Sequence, residues 1–307
     1  MANVSIIIPV YNCEHWLPLT LNTCLEQKDF IKEIIIIDDF STDNSWEVIL
    51  DYQKIHYDII KGFRNQNKGG NNARNYGFSL SSGNYIQWLD ADDQLVGPKL
   101  EKQLNCFEES VDIVYSDWIQ DTYNNMKLVR REYKKNKQVD DFIYHLLIDK
   151  WSTPHCYLMS RRIAEKLADI IAWNPETTVL QDREYFTMAA LLGAKFKYTP
   201  GYFAIYNKWS TNTVSALPRK EQRYLNMQKI FDRFENSIIS RHEIAQRNKR
   251  QYLTALDTQR LIAYVDGYSM NLKRKLNFWV IDWNLVPGIR TALKLVRKMY
   301  LINKEKI

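Results

Sequence analysis

Two short, almost uninterrupted apolar runs near the N-terminus constrain the fold more than any other feature of this sequence. Val4–Val10 reads VSIIIPV and residues 33–39 read EIIIIDD. Strands of a parallel sheet are covered on both faces, so their sequences are apolar throughout and do not alternate with polar residues. Residues 16–25, between the two runs, carry apolar side chains at helical spacing. The chain is therefore predicted to begin with a strand–helix–strand unit.

The same alternation continues through the next eighty residues. Three more strands are predicted, at residues 57–61, 85–90 and 111–116. Helices are expected between them, one ending near Tyr52 and one over residues 73–80. Regular alternation of strands and helices is typical of a doubly wound α/β fold, in which helices flank a mostly parallel sheet.

The regular alternation of predicted strands and helices ends after residue 120. Residues 126–133 are expected to pair with residues 119–122 through a turn at the two asparagines 124 and 125, and residues 218–266 have the pattern of long polar helices. A domain boundary is predicted near residues 212–218, where small and polar residues precede these helices. We predict an α/β domain over residues 1–215, divided into halves 1–118 and 119–215, and a mainly helical extension over residues 216–307.

Composition limits the class of protein and its compartment. The chain is 45% hydrophobic and 25% charged, as in ordinary globular proteins. Its four cysteines lack the CxxC spacing of a zinc site, and they favour reduced thiols over a disulfide framework. The apolar N-terminal run is short and β-branched, so it predicts a strand and not a signal peptide. We expect a cytoplasmic protein.

The net charge of +6 is concentrated at the C-terminus. Residues 271–307 contain nine Lys or Arg against two acidic residues, an excess of seven, so the rest of the chain is nearly neutral. A helix over residues 288–302 would separate apolar and basic faces, which is typical of a helix lying on an anionic membrane. A helix docked on its own protein can show the same stripe. The nearly neutral remainder gives no basic groove, so no nucleic acid partner is expected.

An acidic cluster follows the predicted strand at residues 85–90. The sequence there is Asp90-Ala91-Asp92-Asp93. In extended chain, residues i and i+2 point the same way, so Asp90 and Asp92 can converge while Asp93 points elsewhere. Ligands of open α/β sheets bind at the carboxyl ends of the strands, and paired carboxylates suit Mg²⁺ or Mn²⁺. A solvated acidic turn is the alternative. The cluster is a candidate metal site, with Asp93 assigned to structure.

Two further positions have the chemistry of a nucleotide site. Asp38 and Asp39 end the second strand, and we assign Asp38 to structure and Asp39 to ligand binding. Arg74 opens a helix after the glycine-containing stretch NKGGNNARN. Helix N-termini and guanidinium groups both suit phosphate. The alternatives are a helix-capping carboxylate and a surface arginine.

Three blocks of this sequence together resemble a known enzyme family. VSIIIPVYN, IIIIDDFSTDNS and NKGGNNARNYGFSLSSGNYIQWLDADD are similar, in order and spacing, to the opening of the family 2 glycosyltransferases, which have the GT-A fold. The resemblance covers roughly residues 3–118. The chain departs from the family pattern at Phe40, where glycine is usual.

The resemblance implies roles for individual residues. Pro9, Tyr11 and Asp39 would line the nucleotide base, and Arg74 would lie near the base and the diphosphate. Asp90 would contact the ribose or a metal-bound water, or bind the metal itself, and Asp92 would ligate it. The implied cofactor is Mn²⁺ or Mg²⁺. The implied partners are a nucleotide-sugar donor and a glycan or lipid-linked saccharide acceptor.

Two later segments resemble the acceptor side of the family. The stretch WNPETTVLQDREYFTMAALLGAKF places Asp182 as the catalytic base, although an acidic residue at a helix N-terminus also has a purely structural explanation. YNKWSTNTVS has Asn207 and Trp209 where the family has arginine and histidine, so Lys208 would have to supply a basic contact. Asp117 and Trp118 are candidates to face the acceptor, and Trp118 could equally belong to the core.

The implied reaction is an inverting transfer of a sugar from a nucleoside diphosphate, by resemblance UDP. The resemblance places it in polysaccharide, lipopolysaccharide or capsule synthesis. A non-catalytic nucleotide-sugar-binding protein is one alternative, and retention of Asp90, Asp92 and Asp182 speaks against it. A nucleotidyltransferase is another, but PVYNCEHW stands where it would have a glycine-rich phosphate loop.

Overall fold

The computed structural model describes residues 3–209 and 220–265. The described chain forms two compact units. One, which we call the sheet unit, takes its residues from 1–140, 152–177 and 192–216. The other, the helical unit, takes them from 141–151, 178–191 and 217–307.

All strands of the described chain belong to one nine-stranded sheet in the sheet unit. They are β1 (Val4–Val10), β2 (Ile31–Asp38), β3 (Ile60–Arg64), β4 (Tyr85–Trp88), β5 (Gln94–Leu95), β6 (Ile113–Asn124), β7 (Lys127–Lys134), β8 (Tyr157–Ser160) and β9 (Phe196–Trp209). Their order is β3-β2-β1-β4-β8-β6-β9-β5, with β7 paired to β6. The α/β class predicted from the sequence is confirmed.

Nine α-helices occur in the described residues. They are α1 (Leu17–Leu25), α2 (Ser45–Ile55), α3 (Gly70–Leu80), α4 (Lys99–Leu104), α5 (Phe142–Leu147), α6 (Arg161–Ala168), α7 (Gln181–Leu191), α8 (Lys220–Ser240) and α9 (Gln246–Val265). Short 3₁₀ turns at Lys28–Phe30 and Pro154–Cys156 precede β2 and β8. Within the part of the chain that the structure describes, no helix is long and apolar enough to span a bilayer.

The apolar runs are strands covered on both faces, as their sequences predict. β1 pairs in parallel with β2 and β4, and β2 pairs in parallel with β3. In β2, Ile36 joins the core cluster that contains Leu21 of α1. Ile35 and Ile37 pack instead with Ala73 of α3. Helices therefore cover the two faces of β2, which explains why no polar residue alternates within its apolar run.

The sheet is less parallel than the sequence predicts. Among the described strands, β8 is antiparallel to β4 and β6, and β5–β9 and β6–β7 are also antiparallel. Only β6–β9 adds a parallel pair beyond the first four strands. The expectation of a mostly parallel sheet holds for β3-β2-β1-β4 alone. Burial on both faces produces the same apolar sequence whichever way a neighbouring strand runs.

Two local predictions can be compared with the strands directly. The hairpin after residue 120 is confirmed, with Thr122 opposite Arg130. Its turn residues are Asn125 and Met126, which have φ values of 47° and 64°. The third strand begins three residues later than predicted, at Ile60. This strand contains Gly62, which packs closely against α2. A Cβ at this position would lie 2.3 Å from a side-chain carbon of Ile49, so the close helix–strand contact requires glycine.

The helical unit is built from α5, α7, α8 and α9. In it α5 packs against α7 and α9, and α8 packs against the same two helices. Buried Arg183 bonds to Asp149 at 2.9 Å and to the carbonyl oxygen of Leu147 at 2.8 Å, which compensates the burial of its charge. The long polar helices predicted after residue 218 are α8 and α9.

The boundary predicted between the two domains, near residue 215, stays a prediction. Residues 210–219, where the boundary was placed, lie outside the described residues, as do residues 271–307 of the basic tail. The helical unit also includes residues 141–151 and 178–191, which the predicted division places in the first domain. Their sequences indicate helices without showing which other helices they pack against.

Glu33 is expected to stabilise the sheet unit in a pH-dependent way. Burial would raise its pKa, but hydrogen bonds from Lys61, Ser82 and Ser5 outweigh burial and lower the pKa to about 2. The folded pKa is thus below the ordinary value of 4.5, so the stabilisation is present above about pH 4.5 and is lost as the pH falls towards 2.

We expect Glu33→Gln to lower the free energy of unfolding at pH 7 by about 2 kcal/mol, because buried hydrogen bonds to a charge are lost. Chemical denaturation between pH 3 and 7 measures this, and the deficit should shrink as the pH falls. Exposed Glu109, which lies outside the helices and strands, supplies the control Glu109→Gln, which should not change stability. A pH-independent deficit for Glu33→Gln would contradict the assignment.

Candidate functional site

The candidate site lies at the carboxyl ends of the parallel strands. Val10, the last residue of β1, pairs in register with Asp38, the last residue of β2. Ile7 of β1 pairs with Trp88, the last residue of β4. Residues that follow these three strands therefore emerge at the same edge of the sheet, where open α/β folds bind ligands.

Asp39 has a fixed orientation at this edge. Its backbone N–H donates to the carbonyl oxygen of Val10 at 2.7 Å. Its buried carboxylate accepts from the Asn65 side-chain amide at 2.8 Å and from the Gly69 backbone N–H at 2.8 and 3.0 Å. A carboxylate has about four acceptor positions, so capacity for a ligand N–H or O–H remains. Asp38, by contrast, is fully buried and lies 3.3 Å from Arg64.

Two of the residues that orient Asp39 were not predicted. Asn65 follows β3, and Gly69 precedes α3 with a φ of 125°. Asn65 also donates to the carbonyl oxygen of Asn67 at 2.5 Å. The position of Asn65 after a parallel strand was an available signal. The sequence could not show that Asn65 bonds to Asp39, because the two residues are 26 positions apart.

The aromatic residue predicted at the base position is accessible. The Tyr11 side chain is 47% exposed, and the ammonium group of Lys68 lies 5.7 Å from its ring centroid. Pro9 lies within β1, opposite Ile37, and is partly buried. These placements agree with a surface on which a flat ring could rest beside Asp39.

Arg74 is buried and paired, so it is not the surface arginine of the alternative explanation. Its guanidinium bonds to Asp90 at 2.6 Å and to the Asn71 side chain at 3.2 Å. The same group lies 4.6 Å from the ring centroid of Trp173. Asp90 keeps 30% of its side-chain surface exposed. The structure thus brings together two of the residues predicted to contact a donor.

The three carboxylates of the acidic cluster have different partners. Asp92 accepts from the Trp209 indole N–H at 2.9 Å. Asp93 is fully buried, accepts from the Asn207 backbone N–H at 2.8 Å and lies 2.9 Å from the His155 ring. With Asp90 paired to Arg74, only Asp92 lacks a partner with a basic side chain in these contacts. The contacts of Asp93 agree with its expected structural role.

The electrostatics of Asp92 suit a cation. Burial, together with the neighbouring charges of Asp93 and Asp90, raises its pKa to about 7, and the hydrogen bond from Trp209 only partly opposes this rise. A divalent ion would offset both burial and repulsion, and carboxylate oxygens are the ligands that Mg²⁺ and Mn²⁺ prefer. No group of three or more His, Cys, Asp and Glu side chains suited to a metal occurs in residues 3–209 and 220–265.

Trp209 belongs to an aromatic cluster beside the acidic residues. Its ring centroid lies 4.4 Å from that of Trp16 and 5.0 Å from that of Tyr123. Trp209 stands where the family has histidine, and no local pattern indicates that it would contact Asp92. Lys208 precedes Trp209 in β9, and neighbouring side chains of a strand point to opposite faces; its basic contact to a diphosphate stays a prediction.

Asp117 and Trp118 are part of the core, so the expectation that they face an acceptor is wrong. Asp117 is buried and accepts hydrogen bonds from the Tyr198 hydroxyl at 2.8 Å and from the Asn136 backbone N–H at 2.6 Å. Trp118 is only 8% exposed and packs edge-on against Tyr206. The sequence pattern of a polar residue at a strand end could not distinguish ligand binding from internal hydrogen bonding.

Asp182 lies in the first turn of α7, in the helical unit. The nine residues that follow it in this helix are all buried, whereas Gln181 and Asp182 are partly exposed. Asp182 is thus accessible at a helix N-terminus, as a general base must be. Its role stays a prediction. Of the predicted residues in the sheet unit, Arg74 and Asp90 are in direct contact, and Asp39 and Asp92 follow strands that end at the same edge of the sheet.

Comparison with known proteins places these features in a family. The family model for glycosyl transferase family 2 matches residues 5–168 of this 307-residue chain. The Escherichia coli UDP-Glc:alpha-D-GlcNAc-diphosphoundecaprenol beta-1,3-glucosyltransferase WfaP is 39% identical over 119 residues, or 38% of this chain and 47% of WfaP. The putative teichuronic acid biosynthesis glycosyltransferase TuaG of Bacillus subtilis is 37% identical over 106 residues, or 34% of this chain and 42% of TuaG. The chain spans less than half the length of these curated relatives.

Solved structures share the fold. TarS 1-349 of S. aureus, in complex with UDP-GlcNAc, superposes with a TM-score of 0.64 at 19% identity, covering 89% of this chain and 76% of that one. The mannosyltransferase PcManGT from Pyrobaculum calidifontis, in complex with GDP-Man and Mn²⁺, gives a TM-score of 0.53 at 17% identity, covering 87% and 76%. The sheet unit therefore has the GT-A fold. Since the family match extends over more than half of its residues, the chain belongs to glycosyl transferase family 2.

Proposed function

We propose that this chain transfers a sugar from a UDP-sugar to a hydroxyl group of a glycan or lipid-linked acceptor in surface-polysaccharide synthesis. The observation that carries the proposal is the group of Asp39, Arg74, Asp90 and Asp92 at the carboxyl ends of parallel strands. The names of similar proteins support the substrate class. WfaP acts on UDP-Glc and a diphosphoundecaprenol-linked acceptor, and TarS binds UDP-GlcNAc.

Donor binding would begin with the base. Asp39 is held by Asn65 and Gly69, and its remaining acceptor capacity would receive a ring N–H such as that of uracil. Tyr11 offers the face of its ring and Pro9 the adjoining apolar surface. Arg74 would contact the base and diphosphate, and Asp90 the ribose or a metal-bound water. Pre-existing orientation of these groups lowers the entropy that is lost when the donor binds.

Asp92, with Asp90, would hold Mn²⁺ or Mg²⁺. When bound, such an ion would neutralise the negative charge that develops on the leaving diphosphate. The chain's own contribution is to orient the carboxylates. Trp209 fixes one oxygen of Asp92, and Arg74 fixes one oxygen of Asp90. Arg74 also adds a positive charge beside the diphosphate site.

Asp182 would act as the general base of a single displacement. It takes the proton of the acceptor hydroxyl as that oxygen forms a bond to the anomeric carbon. The bond from the anomeric carbon to the diphosphate oxygen breaks, and the nucleoside diphosphate leaves with the electron pair. Attack on the face opposite the leaving group inverts the configuration. The partial exposure of Asp182 leaves it accessible to an acceptor.

Release of nucleoside diphosphate from a panel of nucleotide sugars, with Mn²⁺ or Mg²⁺ present, tests the function, and UDP-sugars should be the donors. Asp92→Asn should lose metal-dependent donor binding, because a carboxylate ligand is removed. Asp182→Asn should bind donor normally and lose about 10²- to 10⁴-fold in rate, because the base is removed. Exposed Asp58 gives the control Asp58→Asn, which should behave as the wild type.

Wild-type turnover of Asp182→Asn would remove the assignment of the base. Tight binding of UDP-sugars without release of UDP by the wild type would favour the non-catalytic nucleotide-sugar-binding protein. Turnover of GDP-sugars with no turnover of UDP-sugars would contradict the proposed donor.

Trp209→Phe should weaken Mn²⁺ binding in the presence of UDP by about 10- to 100-fold, because groups that orient a metal ligand contribute to affinity by this amount. Phenylalanine keeps an aromatic ring in the cluster and removes the N–H bonded to Asp92. Electron paramagnetic resonance titration of free Mn²⁺ measures the affinity. Trp16→Phe changes the same cluster without touching a carboxylate, and should bind Mn²⁺ like the wild type. Equal affinities in the two variants would show that the Trp209 bond is not needed.

The basic tail at residues 271–307 is proposed to hold the enzyme on an anionic membrane from the cytoplasmic side, near a lipid-linked acceptor. Its excess of seven positive charges should bind anionic vesicles at low salt and release them at high salt. Co-sedimentation with anionic and with neutral vesicles measures this. Replacing Arg290, Lys294, Arg297 and Lys298 by glutamine should reduce binding. If the wild type stays in the supernatant at low salt, the membrane proposal fails.

A further inference from the structure

Phe40 has a backbone conformation that phenylalanine rarely adopts. Its φ is 62°, in the left-handed region where a Cβ approaches the following carbonyl oxygen. Glycine, which avoids this contact, is the residue that the family usually has here. Strained conformations persist where the surrounding structure requires them, and they concentrate at functional sites. The strain at Phe40 therefore requires an explanation.

Packing within the protein does not explain the strain. The Phe40 side chain is 47% exposed, so it contributes little to the hydrophobic core. Its φ does, however, set the direction in which the Cα–Cβ bond leaves the loop. A relaxed, extended φ would aim the ring in another direction. The strained conformation thus fixes the direction in which an apolar side chain leaves the loop at the surface.

Hydrogen bonds place Phe40 beside Tyr11. The loops after β1 and β2 are joined on one side by the bond from the Asp39 N–H to the Val10 carbonyl oxygen, at 2.7 Å. On the other side the Asn12 N–H donates to the Ser41 hydroxyl at 3.0 Å. Tyr11 lies between the bonded residues of the first loop, and Phe40 lies between those of the second. Both side chains are 47% exposed.

We propose that Phe40 is a second aromatic contact for the nucleobase of the donor, in addition to Tyr11. The ring would pack on the face of a base whose polar edge reaches Asp39, the residue next to Phe40 in the chain. A flat base has apolar faces and a polar edge, and this pairing of an exposed ring with an oriented carboxylate matches both. The inference rests on the proposed function, since it concerns the same donor site.

The division of roles makes the proposal specific. Stacking on an aromatic ring does not depend on which base is bound, whereas hydrogen bonding at the base edge does. Phe40 therefore raises affinity, and Asp39 selects the base. UDP and a UDP-sugar share the same base, so loss of the Phe40 ring should weaken the binding of both by the same factor.

Isothermal titration with UDP and with a UDP-sugar tests this, together with the melting temperature of the ligand-free protein. Phe40→Gly should raise both dissociation constants by about 10-fold, because base–aromatic stacking is lost. Its melting temperature should be unchanged or higher, because glycine accepts a φ of 62° without strain. Phe40→Tyr keeps the ring and should bind UDP within about threefold of the wild type.

Met126 provides a matched control. It has a φ of 64°, is 58% exposed, and lies in the turn between β6 and β7. Met126→Gly should affect the melting temperature in the same direction as Phe40→Gly and leave UDP binding unchanged. This variant separates the relief of backbone strain from the loss of a ring at the donor site.

The possible results separate a failure of the role of Phe40 from a failure of the proposed function. Wild-type UDP affinity in Phe40→Gly overturns the role of Phe40 while leaving the proposed function intact. A fall in melting temperature together with weaker binding also overturns it, because the ring would then be structural. If the folded wild type binds neither UDP nor a UDP-sugar, the proposed function fails and the inference fails with it.

Discussion

The parallel pairing of β1 with β2 is the constraint on which the rest of the site depends. Its register sets Val10 beside Asp38, so the two strands end together at one edge of the sheet. Both strands are buried on both faces, and a shift of register would move whole sets of isoleucines between the α1 and α3 sides. The hydrophobic core therefore holds the loops after these strands in place, and with them Tyr11 and Asp39.

A second constraint is the concentration of negative charge after β4. Three carboxylates within four residues are tolerated because each has its own partner: Arg74 for Asp90, the Trp209 indole for Asp92, and the Asn207 backbone with the His155 ring for Asp93. Only a neutral N–H supports Asp92 in these contacts, and burial together with the charges of Asp93 and Asp90 raises its pKa. A buried carboxylate with a raised pKa is typical of functional sites.

Much of the fold and part of the site follow from local patterns. The β1 strand has the predicted bounds, the hairpin after residue 120 is present, and the α/β class and family are confirmed. Predicted residues Asp39, Arg74 and Asp90 occupy the predicted edge of the sheet. The direction of β8, the internal bonding of Asp117 and the contact between Trp209 and Asp92 were not predictable. Each depends on which distant segments meet, and hydrophobic periodicity contains no such information.

The sequence by itself determined the chemistry available to this protein: two buried strands, an acidic cluster after a third, and an ordered set of motifs that resembles one enzyme family. These are local features, since strand burial and residue spacing act over a few positions. Only the tertiary structure decided which polar groups are engaged. Asp117 is internal because Tyr198 and Asn136 reach it, while Asn65 and Gly69 hold Asp39 at the edge of the sheet. Hydrogen bonds between residues far apart in the chain make that distinction, because the fold alone brings their donors and acceptors within about 3 Å of one another.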